Sequence, residues 1–357
     1  MDMMASSPFD HPFLSGLFGD DEIAAHLSAE ADIKAMLSFE ETLARAEAGV
    51  GIIPPEAADQ IGLACRALKP DMAQLKAAVA VDSVVVPELI RQLRQAVGGD
   101  AASHVHLGST SQDAIDTSLM LRLKTIFSIF TGRIRTILDL LDGLDARFGT
   151  QALMGHTRMQ AAIPIRVSDR LHSWRDPLRR QLKSLAGLEF PVQFGGSAGS
   201  LDRLGDRGAA VRAALARDLG LADMRQWQSQ RDPIVAIGHR LSSLTGALGK
   251  MGQDIALLAQ AGGELALESG GASSAMPHKQ NPVAAETLVA LARFNAVQVS
   301  ALHQSLVHEQ ERSGAAWTLE WLILPQMVMA TAASLRLSIQ MLAQVKRIGA
   351  ADSIGFE

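Results

Sequence analysis

The chain has 357 residues, of which 48% are hydrophobic and only 4% aromatic. This composition excludes wholesale disorder and favours an aliphatic core, which suits helices. The net charge of −5 and the lack of a basic patch argue against a nucleic-acid partner. No apolar run predicts a membrane span, no signal peptide is evident, and the single cysteine, Cys65, indicates a reducing compartment, so we expect a cytoplasmic protein.

The predicted elements of the first part of the chain are short helices. Residues 1–27 read as an irregular leader, and the helix after it should run to Ala48 and end at Gly49. Together these elements predict a small all-helical N-terminal domain over 1–103. Its predicted helix starts are Ser28, Pro54-Pro55, Asp71 and Pro87.

The rest of the chain predicts helices that are unusually long. Periodic apolar patterns of more than about 25 residues indicate a bundle, so we expect an all-α fold with a long central helix bundle over 104–346. A short tail over 347–357 follows, and Pro325 is expected to kink the last helix. The predicted long helices cover 116–148, 232–267, 282–311 and 317–346, with Asp232-Pro233 and Asn281-Pro282 as cap and first-turn pairs.

Polar and ionisable residues that could bind or react with a substrate are concentrated in three segments between the predicted helices. The first, 103–113, reads SHVHLGSTSQD. The second, 155–164, reads GHTRMQAAIP, and the third, 270–282, reads GGASSAMPHKQNP. Loops far apart in sequence can meet at one end of a long bundle or between neighbouring subunits.

The first segment combines hydroxyl groups with two histidines. Thr110 and Ser111 can present hydroxyls and backbone N–H groups to a carboxylate, or Ser111 and Asp113 can simply cap the following helix. His104 and His106 are spaced as a metal pair would be, but no third ligand is in view, so we predict no metal.

The second and third segments carry acid–base and cationic groups. His156 stands beside Arg158 and Gln160, as acid–base work on an anion requires, although a lone loop histidine is usually a surface residue. In the third segment the hydroxyls, Lys279 and Asn281 precede a predicted helix N-terminus, where anions are favoured. The alternative for that segment is a solvated Gly/Ser loop.

These strings resemble the signatures of the fumarase/aspartase superfamily. Residues 106–113 match HxGxTSxD throughout, and the third segment matches GSSxMPxKxNP, with Ala272 in place of the glycine and Gln280 where many lyases carry a basic residue. The resemblance implies an L-aspartase-like fold that needs no cofactor. It also implies a homotetramer in which each active site takes its three segments from three different subunits.

The resemblance also implies roles for individual residues. His156 would be the acid/base for the leaving group, with Glu286 as its carboxylate partner. Ser274 would be the acid/base at carbon, with Ser273 secondary. The implied substrate-binding residues are His106, Thr110, Ser111, Arg158, Gln160, Lys279, Asn281 and Arg312.

Within the superfamily, the chain most resembles the carboxymuconate cycloisomerase branch, through the segments 36–54, 193–208 and 308–321. This implies lactonisation of a small tricarboxylate, with Arg312 on a carboxylate and Trp317 shaping a compact pocket. The alternatives are an adenylosuccinate lyase-like enzyme and an inactive structural relative. Family members commonly run longer, so we expect the third, C-terminal domain to be absent or vestigial.

A further string, GGSAG at 195–199, formally matches the nucleophile elbow of serine hydrolases around Ser197. That elbow requires a strand before the serine and a helix after it in an α/β sheet. Because no alternation of strands and helices is evident, we do not expect a serine hydrolase.

Overall fold

The computed structural model describes residues 7–268, 270–272, 276 and 280–350. Ser273, Ser274 and Lys279 lie outside this part of the chain. Within residues 7–100 the chain forms six α-helices. They are α1 (Ser15–Phe18), α2 (Asp21–Leu27), α3 (Ala29–Gly49), α4 (Pro55–Ala67), α5 (Met72–Asp82) and α6 (Val86–Val97).

Six further helices, most of them longer, follow. The remaining helices are α7 (Ser111–Phe148), α8 (Val167–Ala186), α9 (Gly208–Leu219), α10 (Asp232–Ala261), α11 (Val283–Gln304) and α12 (Gly314–Ala343). The described residues also form three antiparallel two-stranded ribbons. These pair β1 (Ala152–Thr157) with β2 (Gln160–Arg166), β3 (Leu265–Leu267) with β6 (Val345–Ile348), and β4 (Gly271–Ala272) with β5 (Gln280–Asn281).

Several predicted helix starts are confirmed by their caps. The Ser28 hydroxyl accepts a hydrogen bond from the Ala31 N–H, and the Asp71 carboxylate accepts from the Ala73 and Gln74 N–H groups. Each of these contacts satisfies donors that the first turn leaves free.

Other local predictions were wrong. The leader is not wholly irregular, because Asp20 caps α2 through the Ile23 N–H. Asp232 is the first residue of α10 and not its cap, because Arg231 takes the cap position, with no side-chain capping hydrogen bond. Asn281 is not a cap, since it pairs with Gly271 in a ribbon and Pro282 takes the cap position. Beyond Ala261, glycines at 262 and 263 with positive φ end α10, and the expected helix gives way to β3.

Two clusters of buried apolar side chains hold the fold together. The larger lies between α7, α8, α10, α11 and α12, with large members such as Phe130 and Trp174 almost fully buried. The smaller joins α3, α4, α6 and α9, and it also contains Val192 and Phe194 from the segment before α9. The smaller cluster thus borders the start of α7.

The helix directions define two opposite ends of the bundle. Arg231, directly before α10, contacts Asp116 at the start of α7 and Glu320 at the start of α12, so these helices begin together at what we call the Asp116 end. The residues that follow α10 and α12 pair in the β3–β6 ribbon. We call this the Glu264 end. Because α10 has 30 residues, the two ends lie about 45 Å apart at 1.5 Å per residue.

Helices α10 and α11 pack closely against each other through glycines of α10. A Cβ atom added at Gly252 would lie 2.7 Å from the Ala285 carbonyl oxygen and 2.9 Å from the Leu288 Cβ, both on α11. Only glycine leaves room for this approach. The apolar α12 is long enough to cross a bilayer, but 72% of its most apolar window is buried inside the fold, as in the core helix of a bundle.

Candidate active site

The first segment lies at the Asp116 end, where it forms a turn of unusual backbone conformation before α7. His106 and Gly108 both take positive φ, 61° and 69°. A Cβ at Gly108 would lie 2.7 Å from the Leu204 side chain, so the turn packs tightly against the neighbouring segment. Thr110, and not Ser111, is the cap residue of α7, and its backbone N–H donates to the Asp113 carboxylate.

Asp113 is the buried centre of this turn. Its two oxygens accept hydrogen bonds from the Gln193 amide at 2.9 Å and from the Gly195 and Gly196 N–H groups at 3.0 and 2.9 Å. Burial raises the pKa of Asp113 to about 6, against the hydrogen bonds, which lower it. Asp113 therefore fixes the first segment to residues 193–196, which sequence reasoning had not connected to it.

The GGSAG string is part of this contact and is not a nucleophile elbow. Ser197 lies in a turn, with neither a strand directly before it nor a helix directly after it. A Cβ at Gly196 would lie 2.8 Å from the Gly108 carbonyl oxygen, so the glycines allow the two segments to approach each other. The alternative of a serine hydrolase is thereby removed.

Arg312 lies against the first segment, as a substrate-binding arginine would. Its Nε donates to the Gln112 side-chain oxygen at 2.8 Å, and one Nη donates to the Ser197 carbonyl oxygen at 3.3 Å. The side chain is nevertheless exposed, and the other Nη has no partner within the described part of the chain. The guanidinium is thus held in place while it keeps donors for a ligand.

A buried ion cluster supports the first segment from inside the bundle. Arg231 is 1% exposed and binds Asp116 and Glu320, each at 2.6 Å. Burial lowers the pKa of Arg231, but the two carboxylates outweigh it and keep the guanidinium charged. Trp317 donates its indole N–H to Asp116 at 3.0 Å and is 5% exposed, so it belongs to this support and does not form an open pocket wall as expected.

The second segment is a β-hairpin and not an irregular loop between helices. His156, Arg158 and Gln160 are all exposed on β1, the turn and β2. Arg158 and Met159 both take positive φ, as the two central residues of a type I′ turn do. The hairpin lies at the Glu264 end, because the Met154 N–H donates to the Glu264 carboxylate at 2.7 Å.

The described residues of the third segment also lie at the Glu264 end. Asn281 and Glu286 line an open groove of about 630 Å³ between α10 and α11, together with Gln253, Gln260 and Arg293. Glu286 is exposed in the first turn of α11.

Within one chain the predicted site residues do not all come together. His106, Thr110, Ser111 and Arg312 gather at the Asp116 end, whereas His156, Arg158, Gln160, Asn281 and Glu286 lie at the other. His156 and Glu286 share this end, but no hydrogen bond joins them, and the His156 Nδ1 instead lies 3.1 Å from the Met154 carbonyl oxygen. The described residues contain no group of three metal-ligating side chains.

Two buried glutamates on α3 were missed by sequence reasoning. Glu40 Oε1 lies 2.6 Å from His106 Nδ1, and Glu47 is fully buried with both carboxylate oxygens lacking a partner. Burial and the neighbouring Glu40 raise the pKa of Glu47 to about 9. The available signal was their position on the apolar face of α3, where a charged residue is unusual.

Comparison with known proteins identifies the family. A model of a lyase family matches residues 14–298. The chain is 36% identical over 352 residues to the 3-carboxy-cis,cis-muconate cycloisomerase of Pseudomonas aeruginosa. The alignment covers 96% of this chain and 76% of that protein.

Two crystal structures share the fold. That of the 3-carboxy-cis,cis-muconate lactonizing enzyme from Pseudomonas putida superposes with a TM-score of 0.88 at 32% identity, covering 94% of this chain and 77% of that one. That of fumarate lyase from Mesorhizobium sp. BNC1 gives 0.86 at 28% identity, covering 93% and 76%. The predicted all-α, L-aspartase-like fold is confirmed, and the chain belongs to this lyase family of the fumarase/aspartase superfamily.

Proposed function

We propose that this protein is a 3-carboxy-cis,cis-muconate cycloisomerase, which converts its substrate to 4-carboxymuconolactone in the protocatechuate branch of aromatic degradation. The observation that carries the proposal is the 36% identity to the Pseudomonas aeruginosa enzyme over 96% of this chain. The reaction requires no metal or organic cofactor, and we place the enzyme in the cytoplasm, in keeping with its single cysteine.

The proposed reaction is an intramolecular conjugate addition. A carboxylate oxygen of the substrate forms a bond to one carbon of a double bond, and the displaced electron pair moves into the adjacent carboxylate as an aci-form. A proton then arrives at the neighbouring carbon. We assign that proton transfer to Ser274 and the stabilisation of the aci-form to Lys279 and Asn281, since donors aimed at developing charge contribute most to such reactions.

Ionising a serine requires a lowered pKa, which a nearby ammonium and a helix N-terminus would supply. In the reverse direction a carboxylate leaves, and His156 acts on it as acid/base. A carboxylate partner on one imidazole nitrogen fixes the tautomer, and Glu286 takes this role in the proposal. Since His156 and Glu286 are not bonded within one chain, their contact would form between subunits.

The position of the segments supports an active site shared between chains. The first segment and the His156 hairpin lie at opposite ends of the bundle, too far apart to serve one substrate. The hairpin also exposes two large apolar side chains, Met159 at 74% and Ile163 at 66%, as a surface covered by a partner would. We therefore propose a homotetramer whose active sites combine the three segments from different subunits.

The positively charged side chains in these segments could bind the carboxylates of a tricarboxylate substrate. Arg312 at one end and Arg158 at the other are exposed arginines, and Lys279 adds an ammonium in the third segment. A protein with a net charge of −5 must gather such groups locally to hold an anion. Gly314, Ala315 and Ala316 after Arg312 add no charge that would serve a phosphate.

A second candidate is an elimination lyase, either adenylosuccinate lyase-like or acting on a related succinyl compound. The observation that favours it is the TM-score of 0.86 to a fumarate lyase. Elimination and lactonisation share the same proton transfer next to a carboxylate, so the signature residues do not separate them. The inactive structural relative is less consistent with three intact segments.

A spectrophotometric assay with purified protein tests the proposal. We expect loss of the carboxymuconate diene absorbance in the presence of the wild-type protein and no cleavage of adenylosuccinate. Ser274→Ala should lower kcat by orders of magnitude with unchanged circular dichroism. Arg312→Ala should raise KM about 10-fold or more, as expected when a charged hydrogen bond is lost. Efficient cleavage of adenylosuccinate without lactonisation would contradict the proposed function and favour the second candidate, an elimination lyase.

A further inference from the structure

A buried carboxylate lies behind the histidine of the first segment. We propose that Glu40 is a positioning residue that holds His106 as a hydrogen-bond donor toward a carboxylate of the substrate. This inference rests on the function proposed above and adds to it a residue outside the signature segments.

The geometry at the pair is specific. Glu40 Oε1 lies 2.6 Å from His106 Nδ1, and the two residues belong to α3 and to the turn before α7. Glu40 is 2% exposed, and its second oxygen, Oε2, is buried without a partner. A buried carboxylate with no other hydrogen bond depends on this imidazole for compensation.

The other ring nitrogen remains available. His106 Nε2 makes no hydrogen bond within the described part of the chain, and the side chain is 13% exposed. With Glu40 accepting from Nδ1, a neutral ring would offer Nε2 only as an acceptor, which a carboxylate ligand would repel. An imidazolium offers an Nε2–H donor and a positive charge, which a carboxylate binds.

The charges around His106 favour the imidazolium. Burial lowers the pKa of His106, and Arg94 on α6 lowers it further, but Glu40 on α3 and Asp113 on α7 outweigh both, so the pKa is raised. The backbone at His106 has a φ of 61°, a conformation that residues other than glycine rarely adopt.

The surroundings suit a carboxylate ligand. Thr110 ends this turn and Ser111 begins α7, and Arg312 is held against the same region through Gln112. His106 would thus contribute one of several donors at the Asp116 end. In a tetramer this end would face the segments that other subunits supply.

The test compares Glu40→Gln with Glu41→Gln. Glu41 is the adjacent residue on α3 and binds Arg45 and Arg66 on the surface, so it is a matched control. The pKa of His106 is measured by NMR on histidine labelled with ¹³C, with His106→Asn for assignment. The second readout is the Kd of tricarballylate, an unreactive tricarboxylate, and the third is the pH profile of kcat/KM for carboxymuconate.

We expect Glu40→Gln to lower the pKa of His106 by about 1 unit or more, since an opposite charge within hydrogen-bond distance is lost. The Kd of tricarballylate and the KM should rise about 10-fold, as for a lost charged hydrogen bond. The fall of kcat/KM at high pH should begin at a lower pH. Glu40→Asp should give smaller changes in the same direction, and Glu41→Gln none.

Several results would overturn the inference. An unchanged pKa of His106 in Glu40→Gln contradicts the pairing. A lowered pKa with unchanged Kd and KM contradicts the role in binding, as does a wild-type protein that does not bind tricarballylate. If Glu40→Gln does not fold, Glu40→Asp carries the same comparison. A protein inactive on carboxymuconate would refute the proposed function, while the NMR and tricarballylate readouts would still decide the role of Glu40.

Discussion

Several acidic side chains are buried near the first segment, and they differ in the partners that the fold gives them. Asp113 accepts hydrogen bonds from the N–H groups of Gly195 and Gly196, and Glu40 binds His106. Glu47 has no partner, and burial raises its pKa to about 9, so it is protonated at neutral pH. At the scale of single residues, the protein thus buries one carboxyl group as a neutral acid and holds others through specific donors.

The protonation of Glu47 predicts a pH dependence of stability. In the unfolded chain its pKa is near 4.5, the ordinary value for a glutamate, so between pH 4.5 and about 9 the folded state holds a proton that unfolding releases. The free energy of unfolding contributed by Glu47 must therefore fall as pH rises through this window, and its decline is complete above the folded pKa.

Glu47→Gln tests this prediction by urea unfolding at pH 6, 7.5 and 9. The amide keeps the shape of the neutral acid and cannot ionise, so the variant should lose stability less steeply with pH than wild type. Glu30→Gln, an exposed change on the same helix, should follow the wild-type curve. A Glu47→Gln protein with the wild-type slope would show that Glu47 is ionised in the fold.

At the scale of elements, α10 and α11 pack through glycine. Gly252 lies against the Ala285 carbonyl oxygen on α11, whereas Gly246 on the same helix is exposed and has nothing within 4 Å of its missing Cβ. The start of α11, which carries Glu286, is held by this contact. The helix–helix distance therefore sets where the first turn of α11 lies.

Replacing each of these two glycines of α10 by alanine should change the free energy of unfolding in opposite directions. Gly252→Ala should lower the free energy of unfolding by about 1–3 kcal/mol, the usual cost of overpacking against backbone. Gly246→Ala should raise it by about 0.5–1 kcal/mol, because alanine is the better helix former. Chemical unfolding at pH 7 measures both, and equal effects at the two positions would contradict the close packing described for α10 and α11.

Much of the fold and part of the site could be predicted from sequence. Caps such as Ser28 and Asp71 act within one turn, so local patterns located those helices. The contacts of Glu40 with His106 and of Gly195 with Asp113 join residues 66 and 82 positions apart, and no local pattern encodes them. Asn281 was wrongly predicted as a cap because its ribbon partner, Gly271, lies ten residues earlier and the pairing outweighs the local preference.

At the scale of the whole molecule, the long bundle separates its functional segments. The turn with His106 and the hairpin with His156 lie at opposite ends, about 45 Å apart for helices of 30 residues. We therefore propose that one chain presents two partial sites. Association of several chains with opposed directions would bring unlike ends together, and the proposed function depends on that association.

Mixing two inactive variants tests this account most directly. Ser274→Ala and His156→Asn proteins, altered in the third and second segments, are unfolded together and refolded, and lactonisation of carboxymuconate is measured beside each variant and wild type treated alone. If sites combine segments from different subunits, random mixed tetramers should regain roughly a quarter of wild-type activity, because some sites receive both intact segments. A mixture as inactive as its components, alongside an active refolded wild type, would contradict the shared site.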